Sequence, residues 1–238
     1  MKRPRAILLD LDDTILDDTG CVDECWSAAT ARAAEQMLPG LGAGTLQETI
    51  REYANWWWSD PGRNQSGRLD LRKATTNIVA ECLRRLGFED GDAARSIANH
   101  YRDLRDESAK PYDGAIETIE WFRSQGFLLG LMTNGAGPAQ HAKIERFGLA
   151  AYFEHVVIEG ELGVGKPHPR VFETLLSGLD VGPDQTWAVG DNLEADVRGA
   201  MRVGLHGVWV DRQGKGLEDR PGETPDRVIR ELRDLMSI

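Results

Sequence analysis

The sequence predicts an α/β fold, a doubly wound and mostly parallel sheet with an all-helical domain inserted after its first strand. Two observations predict the sheet. Short apolar runs of strand length recur along the chain, as expected of strands covered on both faces, and helical patterns alternate with them. A third predicts the insertion: from Asp18 to Ala109 the alternation stops and no convincing strand occurs.

In chain order, the first strand is expected at Ala6–Leu9, ending abruptly in Asp10, Leu11, Asp12 and Asp13. Helices are expected near Glu24–Met37, Thr45–Trp58, Leu71–Leu86 and Gly91–Arg105. Turn formers at Asp17–Gly20 and Lys110–Gly114 bracket them. The expected domains are therefore residues 1–17 with 110–238, the α/β core, and residues 18–109, the helical insertion. Ile116, Ile119 and Phe122 then repeat at helical spacing, closed by Gly126 as a C-terminal cap. Further strands are expected at Phe127–Met132, Val156–Ile158, Thr186–Val189 and Gly207–Val210. Helices are expected at Ala139–Phe147, Pro169–Ser177, Leu193–Val203 and Pro225–Met236, with Arg212–Pro221 a mobile loop.

The 238 residues are 41% hydrophobic and 28% charged, which excludes a disordered or fibrous chain. A formal charge of −11 argues against nucleic acid as a partner, because phosphate backbones need clustered positive charge. It does not exclude small phosphorylated substrates. No apolar run approaches the roughly 18 residues of a membrane span, and Ala6–Leu9 is too short for a secretory leader. Three cysteines, Cys21, Cys25 and Cys82, suit a reducing compartment and read as packing residues, so a cytoplasmic protein is expected.

Ligands of open α/β sheets bind outside the carboxyl ends of the strands. There the sequence puts Asp10 and Asp12 after the first strand and Thr133-Asn134-Gly135 after the second. Gly190-Asp191-Asn192 follows the fourth, and Lys166 stands just before a helix. Clustered carboxylates repel one another and call for a cation, and all-oxygen ligation suits Mg²⁺ best. A lysine and a threonine on the same rim call for an anion beside the metal. A phosphoryl group satisfies both demands.

The set Asp10-Leu-Asp-Asp-Thr14, Thr133-Asn134, Lys166-Pro167 and Gly190-Asp-Asn-Leu-Glu-Ala-Asp196 resembles the four motifs of the haloacid dehalogenase-like (HAD) hydrolase superfamily. The helical insertion after the first motif resembles the subfamily with a C1-type cap on a Rossmann-like core. The resemblance implies a Mg²⁺-dependent phosphatase acting on a small phosphorylated metabolite, with the cap closing over the core. It implies that Asp10 attacks phosphorus to form an aspartyl-phosphate, and that Asp12 serves as general acid and then base. Thr133, Asn134 and Lys166 would bind the phosphoryl oxygens. The metal would be held by the Asp10 carboxylate, the Asp12 backbone carbonyl and Asp191, with Asp196 orienting a metal-bound water or Lys166.

Alternatives remain at this stage. A phosphomutase of the same superfamily shares every motif. A 2-haloacid dehalogenase needs no acid for its leaving group, so Asp12 counts against it. A receiver-like phospho-acceptor shares the acidic residues, Thr and Lys, but lacks a helical insertion. Asp196 also reads as a helix-dipole partner, Asp13 as a flanking residue and His168 as part of a rigid turn. Of Trp56, Trp57 and Trp58, neighbours about 100° apart on a helix, two are expected inside the helical domain and the third lining the cleft or at an interface. Arg63, Arg68 and Arg72 read as solvated or ion-paired.

Overall fold

The computed structural model describes residues 3–217 and 224–237. Strand β1 (Ala6–Asp10) leads into the short β2 (Leu16–Asp17). Five helices follow: α1 (Val22–Gln36), α2 (Ala43–Ser59), α3 (Pro61–Arg68), α4 (Leu71–Arg85) and α5 (Gly91–Ser108). The chain continues through β3 (Lys110–Pro111), α6 (Ala115–Ser124), β4 (Leu128–Thr133), α7 (Gly137–Arg146) and β5 (His155–Ile158). Then come α8 (Glu159–Leu162), α9 (Pro169–Leu179), β6 (Thr186–Gly190), a π-helical turn (Leu193–Arg198), α10 (Gly199–Met201), β7 (His206–Val210) and β8 (Arg227–Ile229). The chain forms two compact units, Met1–Asp17 with Lys110–Ile238, and Asp18–Ala109.

In the first unit six strands form one parallel sheet in the order β5-β4-β1-β6-β7-β8. β1 is central because it is apolar on both faces. Ile7 and Leu9 pack with Leu129, Leu131, Trp187 and Val189 on one side, and Ala6 and Leu8 pack with Met132, Ala188 and Phe172 on the other. Period-two alternation thus feeds two cores at once. Ile7, Leu8 and Leu9 are fully buried, each contributing about 1.5–3 kcal/mol. Gly130 keeps the second face closed, since a Cβ there would lie 2.8 Å from Leu8 and 3.0 Å from Leu175.

The helical unit packs Trp26, Ala29, Leu46, Ile50, Ile78, Val79, Leu83, Ile97 and Tyr101 into one core. Trp26 stacks on Tyr101 with ring centroids 3.6 Å apart. Asp60, Asp70 and Asp90 cap α3, α4 and α5 by accepting backbone N–H groups of the first turn. Trp57 and Trp58 pack against this core and meet edge to face, whereas Trp56 is 54% exposed beneath the Arg63 guanidinium. Arg72 pairs with Asp103 and Asp106. Helix α3 falls outside the expected elements, although Asp60-Pro61 is a regular helix start.

One expected helix is wrong. Within Pro225–Met236, Arg227–Ile229 form β8 and only Leu232–Leu235 turn, as a 3₁₀ helix. Ile229, Leu232 and Leu235 have helical spacing, but β8 gains more by pairing with β7 in the register Val208 to Arg227 and Val210 to Ile229. Asp226 anchors this pairing by accepting from the Gly207 N–H at 2.8 Å. The expected loop Arg212–Pro221 is described only to Leu217, so residues 218–221 lie outside the described residues. Among the described residues no helix is long and apolar enough to cross a membrane.

Candidate active site

The sheet order reverses at β1: β4 and β5 lie on one side, and β6, β7 and β8 on the other. A crevice opens at the carboxyl ends of strands at such a switch point. Register fixes what stands there. Asp10 pairs across to Met132, one residue before Thr133, and Leu9 pairs with Val189, so Asp10 lies beside Gly190 and Asp191. Asp10, Asp12, Asp13, Thr133, Asn134, Lys166, Asp191, Asn192, Ala195 and Asp196 line a cavity of about 210 Å³ there. Every site residue singled out from the sequence meets in it.

After β1 the chain turns sharply. Asp13 takes a left-handed φ of 60°, and the backbone N–H groups of Ile15 and Leu16 donate to the Leu11 carbonyl. This turn places the buried Thr14 hydroxyl to accept from the Asp191 N–H at 3.0 Å. The first and fourth motifs are thereby tied together. Trp209 of β7 holds the same residue by donating from Nε1 to the Asp191 carbonyl at 2.8 Å.

Lys166 is 4% exposed, and its Nζ is the hub of the charged groups. It binds Asp10 Oδ1, lies 2.7 Å from Asp196 Oδ1 and donates to the Met132 carbonyl at 3.2 Å. The Asn134 side chain holds the lysine's backbone from both sides: Oδ1 accepts from Lys166 N at 2.8 Å, and Nδ2 donates to Lys166 O at 3.0 Å. Its amide is thus committed to Lys166. His168 begins α9 after the cis Lys166–Pro167 bond by accepting from Arg170 N.

Asp12 has its own clamp. Lys143 Nζ lies 2.7 Å from Asp12 Oδ1, and Gln140 Nε2 donates to Asp12 Oδ2 at 2.8 Å. The same Gln140 amide reaches the Thr133 hydroxyl and the Asn134 carbonyl. Gln140 and Lys143 lie three apart, on one face of α7. Sequence reasoning missed both, and also Glu159, buried after β5, whose Oε2 accepts from Gly135 N at 2.9 Å. The signal for the first pair was a Gln and Lys at i, i+3 just after the second motif, which reads as a solvated helix face.

Three carboxylate oxygens, one each from Asp10, Asp191 and Asp196, lie within 4.8 Å of one another. Against these three acids the cluster has one ammonium. Burial and the neighbouring Asp196 and Asp13 push the Asp191 carboxyl up to about 7. Burial also raises Asp10, with Lys166 opposing and Asp196 and Asp191 adding to the rise. For Lys166 burial disfavours the charge, but Asp10 and Asp196 more than offset it, so its pKa is raised and it stays protonated. Hard oxygen donors with surplus negative charge fit a divalent cation such as Mg²⁺. Both Asp196 oxygens are engaged, Oδ1 by Lys166 and Oδ2 by the Asn192 N–H at 2.9 Å, whereas Asp10 meets Lys166 through Oδ1 alone, which leaves Asp10 and Asp191 as the better placed ligands. Gly190 is what lets Asp196 approach, since a Cβ there would sit 2.3 Å from its carboxylate.

Residues 4–204 match the profile of the haloacid dehalogenase-like hydrolases. The chain is 32% identical to the glyceraldehyde 3-phosphate phosphatase of Methanopyrus kandleri, over 98% of this chain and 96% of that protein. It is equally identical to the phosphoserine phosphatase of Thermus thermophilus, over 97% of each chain. The magnesium-bound crystal structure of the HAD-hydrolase YfnB from Bacillus subtilis superposes with a TM-score of 0.72 at 24% identity, covering 99% of this chain and 98% of that one. A reversed parallel sheet, four motifs meeting at its switch point and a match spanning most of the chain lead to one conclusion: the chain belongs to the haloacid dehalogenase-like hydrolase family.

Proposed function

We propose that this hydrolase is a Mg²⁺-dependent phosphatase that cleaves the phosphomonoester of a small metabolite through an aspartyl-phosphate on Asp10. The observation that carries the reading is the single cavity in which Asp10, Asp12, Thr133, Lys166 and Asp191 converge. The two phosphatase-named relatives support it.

Asp10 and Asp191 carboxylates and the Asp12 backbone carbonyl would hold the cation. When bound, it supplies positive charge against the phosphoryl oxygens. The protein's own groups do the rest. An Asp10 carboxylate oxygen attacks phosphorus in line; the O–P bond forms as the ester P–O bond breaks. Asp12 gives its proton to the departing oxygen, then takes one from the water that attacks phosphorus and frees Asp10. Lys166 and the Thr133 hydroxyl hold the equatorial oxygens, and Asp196 keeps Lys166 in place. Gln140 and Lys143 hold the Asp12 carboxylate at the reacting centre.

The acid role of Asp12 favours ester hydrolysis over halide displacement, whose leaving group needs no proton. The helical unit Asp18–Ala109 serves as the C1-type cap, selecting the substrate and excluding bulk water. Three free cysteines, two of them buried, fit a cytoplasmic enzyme. A phosphate-release screen over a metabolite panel, with Mg²⁺ and with EDTA, tests the reading. Release that depends on Mg²⁺ is expected for a subset of small esters; halide release from 2-haloacids, or isomerised phosphate in place of free phosphate, would overturn it.

A further inference from the structure

The helical unit contains a cavity of about 310 Å³ that the phosphoryl chemistry does not use. That volume is at the small end of ligand pockets, which run from about 300 to 1,000 Å³. Its walls are of two kinds. Val22, Trp26, Ala54, Trp58, Leu71 and Ile78 make an apolar chamber, and Arg102 and Arg105 stand together in it. Both arginines are buried, 8% and 6% exposed.

Two buried guanidinium groups in an apolar chamber need anionic partners. Arg105 has part of what it needs. Its NH1 donates to the Tyr101 hydroxyl at 2.7 Å, and its NH2 binds the Asp18 carboxylate at 2.8 Å and the Asp18 carbonyl. Its Nε–H is buried with no hydrogen-bond partner. Arg102 lies 3.3 Å from Asp106, which is half exposed and also pairs with Arg72. Among the residues that line the cavity Asp18 is the one carboxylate beside two guanidinium groups, and the partner of Arg102, Asp106, stands outside the lining and is shared with Arg72.

We propose that this cavity is a binding site for a small organic monoanion, a carboxylate carried on an aryl or medium-chain alkyl body. The guanidinium fork matches a carboxylate in two parallel hydrogen bonds. With Asp18 already on Arg105 and Asp106 shared between Arg102 and Arg72, the arginines suit a single carboxylate better than a dianionic phosphate, and the indoles of Trp26 and Trp58 suit an apolar body. The site is independent of the phosphatase reading, because every residue in it lies within Asp18–Ala109.

The test is titration of the full chain with phenylacetate and hexanoate, with 2-phenylethanol and acetate as controls, followed by calorimetry and tryptophan fluorescence. Saturable binding of phenylacetate or hexanoate is expected, at least about tenfold tighter than of the neutral alcohol or of acetate. Arg102→Met should weaken it about tenfold or more, and Ala54→Phe should abolish it by filling the chamber while leaving both arginines. Circular dichroism checks that each variant folds. No saturable binding, equal binding of the alcohol, or unchanged binding in folded Ala54→Phe overturns the proposal. Once a phosphoester substrate is known, two further results identify the source of the natural anion, and both support the site. A raised KM at unchanged kcat shows the probe standing in for part of the substrate, and binding without competition shows a separate effector. Absence of any phosphate release would count against the phosphatase reading alone, since binding is read without turnover.

Discussion

Asp191 is where the charge balance of the site becomes measurable. Its carboxyl is pushed up to about 7 by burial first and by Asp196 and Asp13 next, from an ordinary value of 3.8. A carboxyl that holds its proton more tightly folded than unfolded favours the native state at low pH, and that contribution is lost as pH rises from about 4 to 7. Cation binding needs the ionised form, so Mg²⁺ affinity should rise about tenfold per pH unit up to about 7 and then level off. Calorimetric titration across pH checks this, and a flat profile would contradict it. Gln140 makes a second residue-scale prediction. It holds Asp12 and Thr133 with one amide, so Gln140→Leu should lower kcat about 10–10²-fold with little change in melting temperature. Asp10 and Asp191 were legible in the sequence because each follows an apolar run of strand length, and Asp196 only through the motif that begins at Gly190. Gln140, Lys143 and Glu159 were not, because a polar residue on a helix looks the same in sequence whether it meets water or Asp12.

At the scale of elements, β1 and its neighbours were legible because doubly buried parallel strands are continuously apolar, as Ala6–Leu9 is. β8 was hidden because Arg-Val-Ile is too short to show a period, and its strand state comes from pairing with β7 rather than from its own composition. The same dependence on neighbours gives Gly130 its role in β4. Gly130→Ala should cost about 1–3 kcal/mol, because the new methyl meets Leu8 and Leu175 in a closed core. Denaturant unfolding measures this, and a loss below about 0.5 kcal/mol would mean the core has room that the structure lacks. The cap of α4 is smaller in effect. Asp70→Ala removes the acceptor for Lys73 N and should cost about 1 kcal/mol.

For the whole molecule, the excess of acids over bases is general, but the local surplus in the acidic cavity is what would couple a bound cation to stability. A ligand that binds only the native state at ten times its Kd adds about 1.4 kcal/mol. For a chain of this size that raises the melting temperature by about 3–6 °C. Mg²⁺ should do so in the wild type and not in Asp191→Asn. The domain pattern was visible as a break in strand–helix alternation, whereas the cavity among Trp26, Trp58, Arg102 and Arg105 was not. Its walls come from α1, α2, α4 and α5, and no local pattern reports that separate helices leave space between them.

The central claim is that phosphate is carried covalently on Asp10. Acid quenching during turnover, followed by mass mapping of the peptides, tests it most directly. Phosphate should appear on Asp10 in the wild type, and Asp10→Asn should show neither the adduct nor turnover. Undiminished phosphate release by Asp10→Asn, or an adduct on another residue, would contradict it.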